Sequence, residues 1–200
     1  LVSGCRFSQM TISMSKVITF SRVFPKYHPK AGQQTFFVEQ FYNSLFSKNN
    51  LMDYPKGLEI DESILGIKKH TIRGGKRWKV GDKFSPRVWI DKPDNSKQII
   101  LCDDVEIKNI YDFKITTEDD DGEHDWSFVE FLGKHYTAYG YGGYDAEIMV
   151  EIAKNEGLTI SDFYDWFLTG RTKQQKLDNE PKIFEGQIIC WSDSVSYGFC

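Results

Sequence analysis

The chain has 200 residues, of which 40% are hydrophobic and 27% are charged, and this balance excludes an intrinsically disordered polypeptide. Its 25 basic and 29 acidic residues give a net charge of −4, which argues against a protein that coats nucleic acid through bulk positive charge. Because no apolar run approaches the roughly 20 residues of a membrane-spanning helix and no secretory signal is visible, we expect a cytoplasmic protein with no membrane partner.

The first predicted elements are a strand and a helix. Residues 16–24 are rich in β-branched and aromatic side chains and end before Pro25, which predicts a strand closed by a turn. The hydrophobic residues of 35–46 repeat every four positions, so we predict an amphipathic helix there. Residues 1–15 are predicted to be a disordered tail, and 48–66 are predicted to be irregular because asparagine, proline and glycine interrupt them.

The middle of the chain is predicted to form an antiparallel meander. Strand signals fall at 84–90, 98–102 and 105–113, where β-branched and aromatic residues are frequent. The acidic segment 118–123 and the glycine–aromatic segment 139–144 are too polar or too flexible for a core. Both segments are therefore predicted to be surface loops.

Two further helices and a closing strand complete the predicted fold. Asp145 is a suitable N-cap for a helix that runs to Asn155, and Thr159 with Asp162 forms a capping box at the start of the next helix. Residues 187–191 are typical of a strand. Short strands interrupted by two or three helices predict an α+β protein, in which a small mixed or antiparallel β-barrel carries helices on its flank.

Cationic side chains are concentrated between Lys68 and Lys79. Six lysines or arginines and His70 lie in this stretch, although the chain is acidic overall. The neighbouring Gly74 and Gly75 allow backbone amides to approach a ligand closely, so the cluster is a candidate site for phosphate or a polar nucleobase. A solvated basic surface is an equally good interpretation of the charge pattern alone.

Several motifs occur in the order in which a known family has them. Lys68–Arg73, followed by Val80–Asp82, resembles the ASCH-domain pattern of a lysine, two residues, Thr-Ile-Arg and then a Val-Gly-Asp turn. The segment 153–159 resembles the one that supplies the acidic residue of this family, and 186–191 is similar to its last strand. The resemblance extends over about residues 17–191. It implies a PUA-like barrel associated with RNA and modified nucleosides.

The resemblance also implies an activity and a catalytic group. A minimal bacterial ASCH protein is an N4-acetylcytidine amidohydrolase, and its catalytic lysine, threonine and glutamate correspond to Lys68, Thr71 and Glu156. Thr71 would attack the amide, Lys68 would remove the threonine proton, and Glu156 would orient the lysine or shuttle the proton. Burial and neighbouring cations would lower the pKa of Lys68, whereas the Glu156 carboxylate would raise it. The sequence leaves both outcomes open.

This hypothesis makes two structural predictions. Residues three apart on a regular strand point to opposite faces, so Lys68 and Thr71 can meet only if the chain bends between them. We therefore predict a turn or bulge at 69–70. The chain is also longer than a minimal ASCH amidohydrolase, and we assign the additional residues to 47–66 and to loops within 119–144.

The remaining candidate site residues are predicted to bind the substrate, and an alternative function depends on them. They are Lys69, His70, Arg73, Lys76 and Arg77. In the alternative, the protein is a non-catalytic module that binds RNA or a nucleotide through Lys69, Arg73, Lys76 and Arg77. Neither function requires a cofactor or a metal, and none is predicted. Together these features define one ASCH/PUA-like domain over 16–193, with a C-terminal tail at 194–200.

Overall fold

The computed structural model describes residues 16–46, 54–91, 96–119, 125–137, 145–168, 183–195 and 197. This part of the chain contains three helices and nine strands. The helices are α1 (Phe37–Leu45), α2 (Asp145–Glu156) and α3 (Ile160–Leu168). The strands are β1 (Lys16–Phe20), β2 (His70–Gly74), β3 (Lys83–Trp89), β4 (Gln98–Ile100), β5 (Val105–Glu106), β6 (Asn109–Asp119), β7 (Asp125–Phe131), β8 (Lys134–Thr137) and β9 (Ile183–Cys190).

The strands form two hydrogen-bonded sheets. The first has the order β1-β3-β4, with β5 also paired to β3, and its β1–β3 pair is parallel. The second has the order β2-β9-β6-β7-β8 and is antiparallel throughout. The predicted α+β class is therefore confirmed, whereas pairing among the described strands does not close a barrel. Strand β2 lies at one edge of the second sheet as the described strands form it.

Helix α1 covers an aromatic core. Its predicted apolar face is confirmed, because its aromatic and β-branched side chains at successive helical turns are buried. The ring of Phe41 lies 4.7 Å from that of Phe20 in β1 and 5.3 Å from that of Trp191 after β9, measured between centroids. Such tilted and edge-on pairs stabilise a core beyond the area they bury. The contacts join elements that are distant in the sequence.

The junction between α2 and α3 follows the predicted capping chemistry. Gly157 has a φ of 84°, which ends α2 in the left-handed conformation that glycine adopts without strain. The Asp162 backbone N–H donates to Thr159 Oγ1 at 3.1 Å, so Thr159 is the N-cap of α3 as predicted. From α3, Phe163 packs edge-on against Phe113 of β6 at 6.1 Å between ring centroids. The sheet thereby holds the end of α2 in place.

The prediction that the additional residues of 119–144 form loops was wrong for the described part of that segment. Residues 125–137 form β7 and β8, which extend the second sheet. Val129 pairs with Ile115, Phe131 pairs with Phe113, and all four side chains are buried. Leu132 and Gly133, at φ 52° and 70°, make the tight turn that joins the two strands. The hydrophobic side chains of this hairpin are recognisable only once their partners on β6 are known.

Other boundaries also moved. Strand β1 ends at Phe20 rather than at residue 24. The segment 105–113 is divided into β5, which pairs with β3 in the first sheet, and β6, which pairs with β9 in the second. Val195 and Tyr197 are buried, so the core extends past the predicted boundary at 193.

The predicted tail at 1–15 and the loop residues 120–124 and 139–144 lie outside the described residues. None of the described helices has the length and apolar character needed to cross a membrane.

Candidate functional site

The backbone of the segment before β2 is hydrogen-bonded to two helices. The Lys68 backbone N–H donates to the carbonyl of Gln40 in α1 at 3.0 Å, and the Lys69 N–H donates to the carbonyl of Asn155 in α2 at 2.8 Å. Strand pairing begins only at His70. The structure has no turn at the predicted position 69–70. Lys68 instead lies before the start of β2, where it can approach the same group as Thr71.

That group is the carboxylate of Glu156, the last residue of α2. Lys68 Nζ lies 2.8 Å from Glu156 Oε1, and the Thr71 hydroxyl donates to the same oxygen at 3.2 Å. Lys68 Nζ also donates to the backbone carbonyl of Glu156. The three residues that the sequence singled out as catalytic are thus in contact, because α2 ends against the free edge of β2.

The second oxygen of this carboxylate is occupied by histidine. His70 Nδ1 lies 3.1 Å from Glu156 Oε2, so Glu156 is bonded at both oxygens. His70 and Thr71 are neighbours on a strand that is at the edge of the sheet formed by the described strands, and the end of the helix lies alongside them. The sequence assigned His70 to substrate binding, but its ring is 0% exposed and contacts Glu156.

The site is closed to solvent. Lys68, Thr71 and Glu156 are 1%, 2% and 5% exposed, respectively. The Lys68 ammonium lies 4.3 Å from the ring centroid of Phe37 in α1, where the aromatic face attracts a cation. Buried charges are tolerated when they are paired and hydrogen-bonded, and the contacts around Glu156 meet that requirement.

Burial controls the ionisation of the lysine. Loss of water lowers the pKa of Lys68 to about 8, helped by the cation of Arg73 and opposed by Glu156. The sequence left open whether burial or Glu156 determines the pKa of Lys68, and burial is the larger of the two effects. The pKa of Glu156 is also lowered, because Lys68 and His70 together outweigh the effect of burial, which would raise it. At neutral pH Glu156 is therefore ionised, while Lys68 can lose its proton at a slightly alkaline pH.

Arg73 lies two positions beyond Thr71 on β2. Its Nη2 donates to the Thr19 carbonyl of β1 at 2.7 Å, whereas its Nε is buried without a hydrogen-bond partner. Within the described ranges, no carboxylate forms an ion pair with Arg73. Burial accordingly lowers its pKa from the usual value. The guanidinium thus retains unused donor capacity next to the Lys68–Glu156 pair.

Comparison with known proteins assigns no family to this arrangement. No protein-family model matches the chain, and neither the curated proteins nor the solved structures give a match. The resemblance to ASCH domains therefore depends on the order of short motifs in the sequence. The contacts that Lys68 and Thr71 make with Glu156 are a property of the fold and do not depend on that resemblance.

The rest of the predicted basic cluster does not join this site. Lys76 lies on the surface and pairs with Asp112 at 2.9 Å and with Glu185 at 3.6 Å. The guanidinium of Arg77 lies 5.3 Å from the ring centroid of Trp78. Lys69 is half-buried and anchors the site through its backbone. The run of cations in the sequence is therefore divided between the interior and the surface. Of these cations only Arg73 lies within β2, whereas Lys76 and Arg77 follow Gly75, where the chain bends after the strand.

Two other features were missed in the sequence. A cavity of about 480 Å³ lies on the second sheet, and its lining includes Lys76, Asp112, Glu130, Leu132 and Glu185. None of the residues around the Glu156 carboxylate lines it. Its walls come from β6, β7, β9 and the β7–β8 turn, so only correct strand pairing could have revealed it.

The second missed feature is a group of His28, Asp162 and Asp165, whose potential ligand atoms lie within 4.8 Å of one another. His28 Nδ1 accepts a hydrogen bond from the Lys30 backbone N–H at 3.0 Å. A neutral ring with this tautomer carries its hydrogen on Nε2, which lies 3.2 Å from the Asp162 carbonyl. Asp162 in turn pairs with Lys30 at 2.8 Å. These bonds join the turn at 28–30 to the first turn of α3 and engage both ring nitrogens of His28.

Proposed function

We propose that this chain is an ASCH-type, PUA-like protein of the cytoplasm that acts as an amidohydrolase on an N4-acylated, cytidine-like nucleoside. The observation that supports this function is the meeting of Lys68 and Thr71 on one oxygen of Glu156. Amide hydrolysis requires a nucleophile, a group that accepts its proton and a donor for the departing amine. A hydroxyl, a carboxylate and an amine in contact supply these roles.

The hydrogen bonds favour one of the two roles considered for Glu156. The Thr71 hydroxyl donates to Glu156 Oε1, and Lys68 contacts that same oxygen. The carboxylate therefore lies between the hydroxyl and the amine, in the position of a proton shuttle. Since the pKa of Lys68 is about 8, a neutral lysine is available near physiological pH to accept the proton.

The reaction then follows in two balanced halves. Thr71 Oγ1 attacks the acyl carbon, and its proton passes through Glu156 to neutral Lys68. The C–N bond breaks as Lys68 returns that proton to the N4 amine, which leaves as the free nucleoside. Water then attacks the threonine ester, giving its proton to the same pair, and the carboxylic acid departs while the Thr71 hydroxyl is restored.

Arg73 completes the site as a binding group. When Lys68 is protonated, Lys68 and Arg73 carry two positive charges against the single carboxylate of Glu156. A negative or strongly polarised oxygen of the substrate would offset this excess, and Arg73 Nε is buried without a partner. An acyl carbonyl that becomes an oxyanion in the transition state is such an oxygen. Of the predicted binding residues, Arg73 therefore retains its role.

A non-catalytic module that binds RNA or a nucleotide is the second candidate function. The observation that favours it is the burial of Lys68, Thr71 and Glu156, none of which is more than 5% exposed. A group so enclosed can serve as a structural ion pair beneath a binding surface. The ligand would then contact surface cations such as Lys69 and Arg77.

Turnover of N4-acetylcytidine by the purified protein separates the two candidates. We expect release of cytidine, measured by chromatography, with loss of activity in Thr71→Val and retention in Thr71→Ser, which keeps the hydroxyl. Equal activity of T71V and the wild type would refute the assignment of Thr71 as the nucleophile. Binding of N4-acetylcytidine or of RNA oligonucleotides without any turnover would instead support the binding module.

A further inference from the structure

The His70 ring is enclosed by the protein and contacts the carboxylate of Glu156. The ring is 0% exposed, and Nδ1 lies 3.1 Å from Glu156 Oε2. An ionised carboxylate can only accept hydrogen bonds, so Nδ1 carries a hydrogen. The other ring nitrogen, Nε2, is buried and makes no hydrogen bond in the described part of the chain.

Two of the other groups around the imidazole, Cys190 and Tyr197, carry no charge at neutral pH. Cys190 lies opposite His70 in β9, and burial raises its pKa to about 12. The ring of Tyr197 stands edge-on at 5.9 Å between centroids, and burial raises its pKa as well. From α2, the Ile152 carbonyl favours a protonated ring, whereas burial and the Lys68 cation lower the pKa of His70. The neutral Nδ1–H form thus faces one anion, Glu156.

The carboxylate needs an external restraint to present the correct oxygen. The terminal torsion of glutamate has only a broad preference, so the side chain alone does not fix the plane of its carboxylate. Lys68 and Thr71 both bond to Oε1. Bonds to this one oxygen do not fix the rotation of the carboxylate about the Cγ–Cδ bond, so a contact to Oε2 is needed to limit it. His70 is the side chain that bonds to Oε2.

We propose that His70 is a positioning residue, which holds Oε2 of Glu156 so that Oε1 faces both Lys68 and Thr71. This inference rests on the proposed hydrolase function for its effect on turnover. It replaces the role in substrate binding that the sequence predicted for His70. The residue lies within the segment that resembles the ASCH pattern, at one of the two positions that the pattern leaves open.

Two matched variants isolate the hydrogen bond from the volume of the ring. His70→Asn places an amide nitrogen near the position of Nδ1 and can donate to Oε2, whereas His70→Leu has a similar size and donates nothing. We expect kcat for N4-acetylcytidine to fall about 100-fold in H70L with little change in KM, because displacement of a catalytic group by about 1 Å has a cost of that order. H70N should restore most of the loss.

A second measurement does not depend on turnover. The pKa of the Glu156 carboxyl, followed by carbon NMR, should rise in H70L relative to the wild type, because a hydrogen bond to the ionised form is lost. The rise should be smaller in H70N. In the wild type, nitrogen NMR of the imidazole should show hydrogen on Nδ1 and none on Nε2 near neutral pH, a result that requires no variant to fold.

The outcomes separate this inference from the proposed function. Absence of turnover by the wild type would end the hydrolase proposal, while the Glu156 titration and the His70 tautomer would still decide whether His70 holds the carboxylate. A ring with hydrogen on Nε2 alone overturns the inference. So does a Glu156 pKa that is unchanged in folded H70L, or a kcat of H70L equal to that of an active wild type.

Discussion

Lys68 and Glu156 are joined twice, once between Nζ and Oε1 at 2.8 Å and once between Nζ and the backbone carbonyl. The two residues are 88 positions apart in the sequence, and each is almost completely buried. The lysine thus ties the segment before β2 to the final turn of α2, where the helix dipole also favours a cation. Four measurements follow from this arrangement.

The first concerns the pH dependence of turnover. The base form of Lys68 is required to accept the Thr71 proton, and its pKa is about 8. We therefore expect kcat/KM for N4-acetylcytidine to rise as the pH increases and to level off above about 8. Activity that is constant between pH 6 and about 9 would contradict a role for Lys68 as the base.

The second concerns the pH dependence of stability. The pKa of Lys68 falls from its usual 10.5 to about 8 on folding, so between these values the unfolded chain binds more protons than the folded one. The Lys68 contribution to the free energy of unfolding should therefore rise with pH across this range, by up to about 3 kcal/mol. Urea unfolding at both ends of the range measures this rise.

Lys68→Met is the matched control for that experiment. Methionine fills a similar volume and has no proton to exchange, so its unfolding free energy should lack the Lys68 component of the rise. Tyrosines and cysteines titrate in both proteins, and subtraction removes their contribution. Parallel pH dependences in the two proteins would show that burial does not lower the pKa of Lys68.

The third concerns Arg73 and uses Lys76 for comparison. Arg73→Gln removes the half-buried guanidinium, whose Nε is buried without a partner, and we expect kcat/KM to fall about 100-fold or more if it binds the developing oxyanion. Lys76→Gln removes a surface cation that pairs with Asp112 and Glu185 and should change kcat/KM little.

The Arg73→Gln variant also has an effect on ionisation. The cation of Arg73 lowers the pKa of Lys68, so its removal should move the alkaline inflection of the pH–activity profile to a higher pH. Lys76→Gln should leave the inflection in place. Equal losses of activity in the two variants would show that Arg73 has no special role among the cations of the segment.

The fourth concerns the glycine that ends α2. Gly157 has a φ of 84°, and a Cβ at this position would collide with Gln40 Oε1. Gly157→Ala should reduce the free energy of unfolding by about 1–2 kcal/mol from backbone strain, and by about 1 kcal/mol more if Gln40 loses its bond to the Thr35 carbonyl at 3.3 Å.

Gly81→Ala provides the control for this substitution. Gly81 has the same φ of 84° but nothing within 4 Å of an added Cβ, so it reports the backbone cost alone. Denaturant unfolding of both variants measures the difference. If Gly81→Ala is as destabilising as Gly157→Ala, the contact with Gln40 contributes nothing.

Local patterns predicted the elements whose signals are contained in the chain itself. Helix α1 followed from its four-residue hydrophobic repeat, and the N-cap of α3 followed from Thr159 and Asp162. Strands β7 and β8 were not predicted, because their buried residues are recognisable only opposite Phe113 and Ile115 of β6. Side-chain alternation on a strand has meaning only with respect to a core, and the core is made by distant partners.

For the site, the sequence by itself determined the candidate groups: Lys68, Thr71 and Glu156 were named from the order of short motifs, and the bend before β2 was required by the spacing of the first two. Only the tertiary structure decided that these groups meet on one oxygen, that His70 occupies the other, and that Lys76 and Arg77 face away. The physical reason is that charge, burial and hydrogen bonding depend on distance in space. The edge position of β2 and the end of α2 set those distances, and no local stretch of sequence records them.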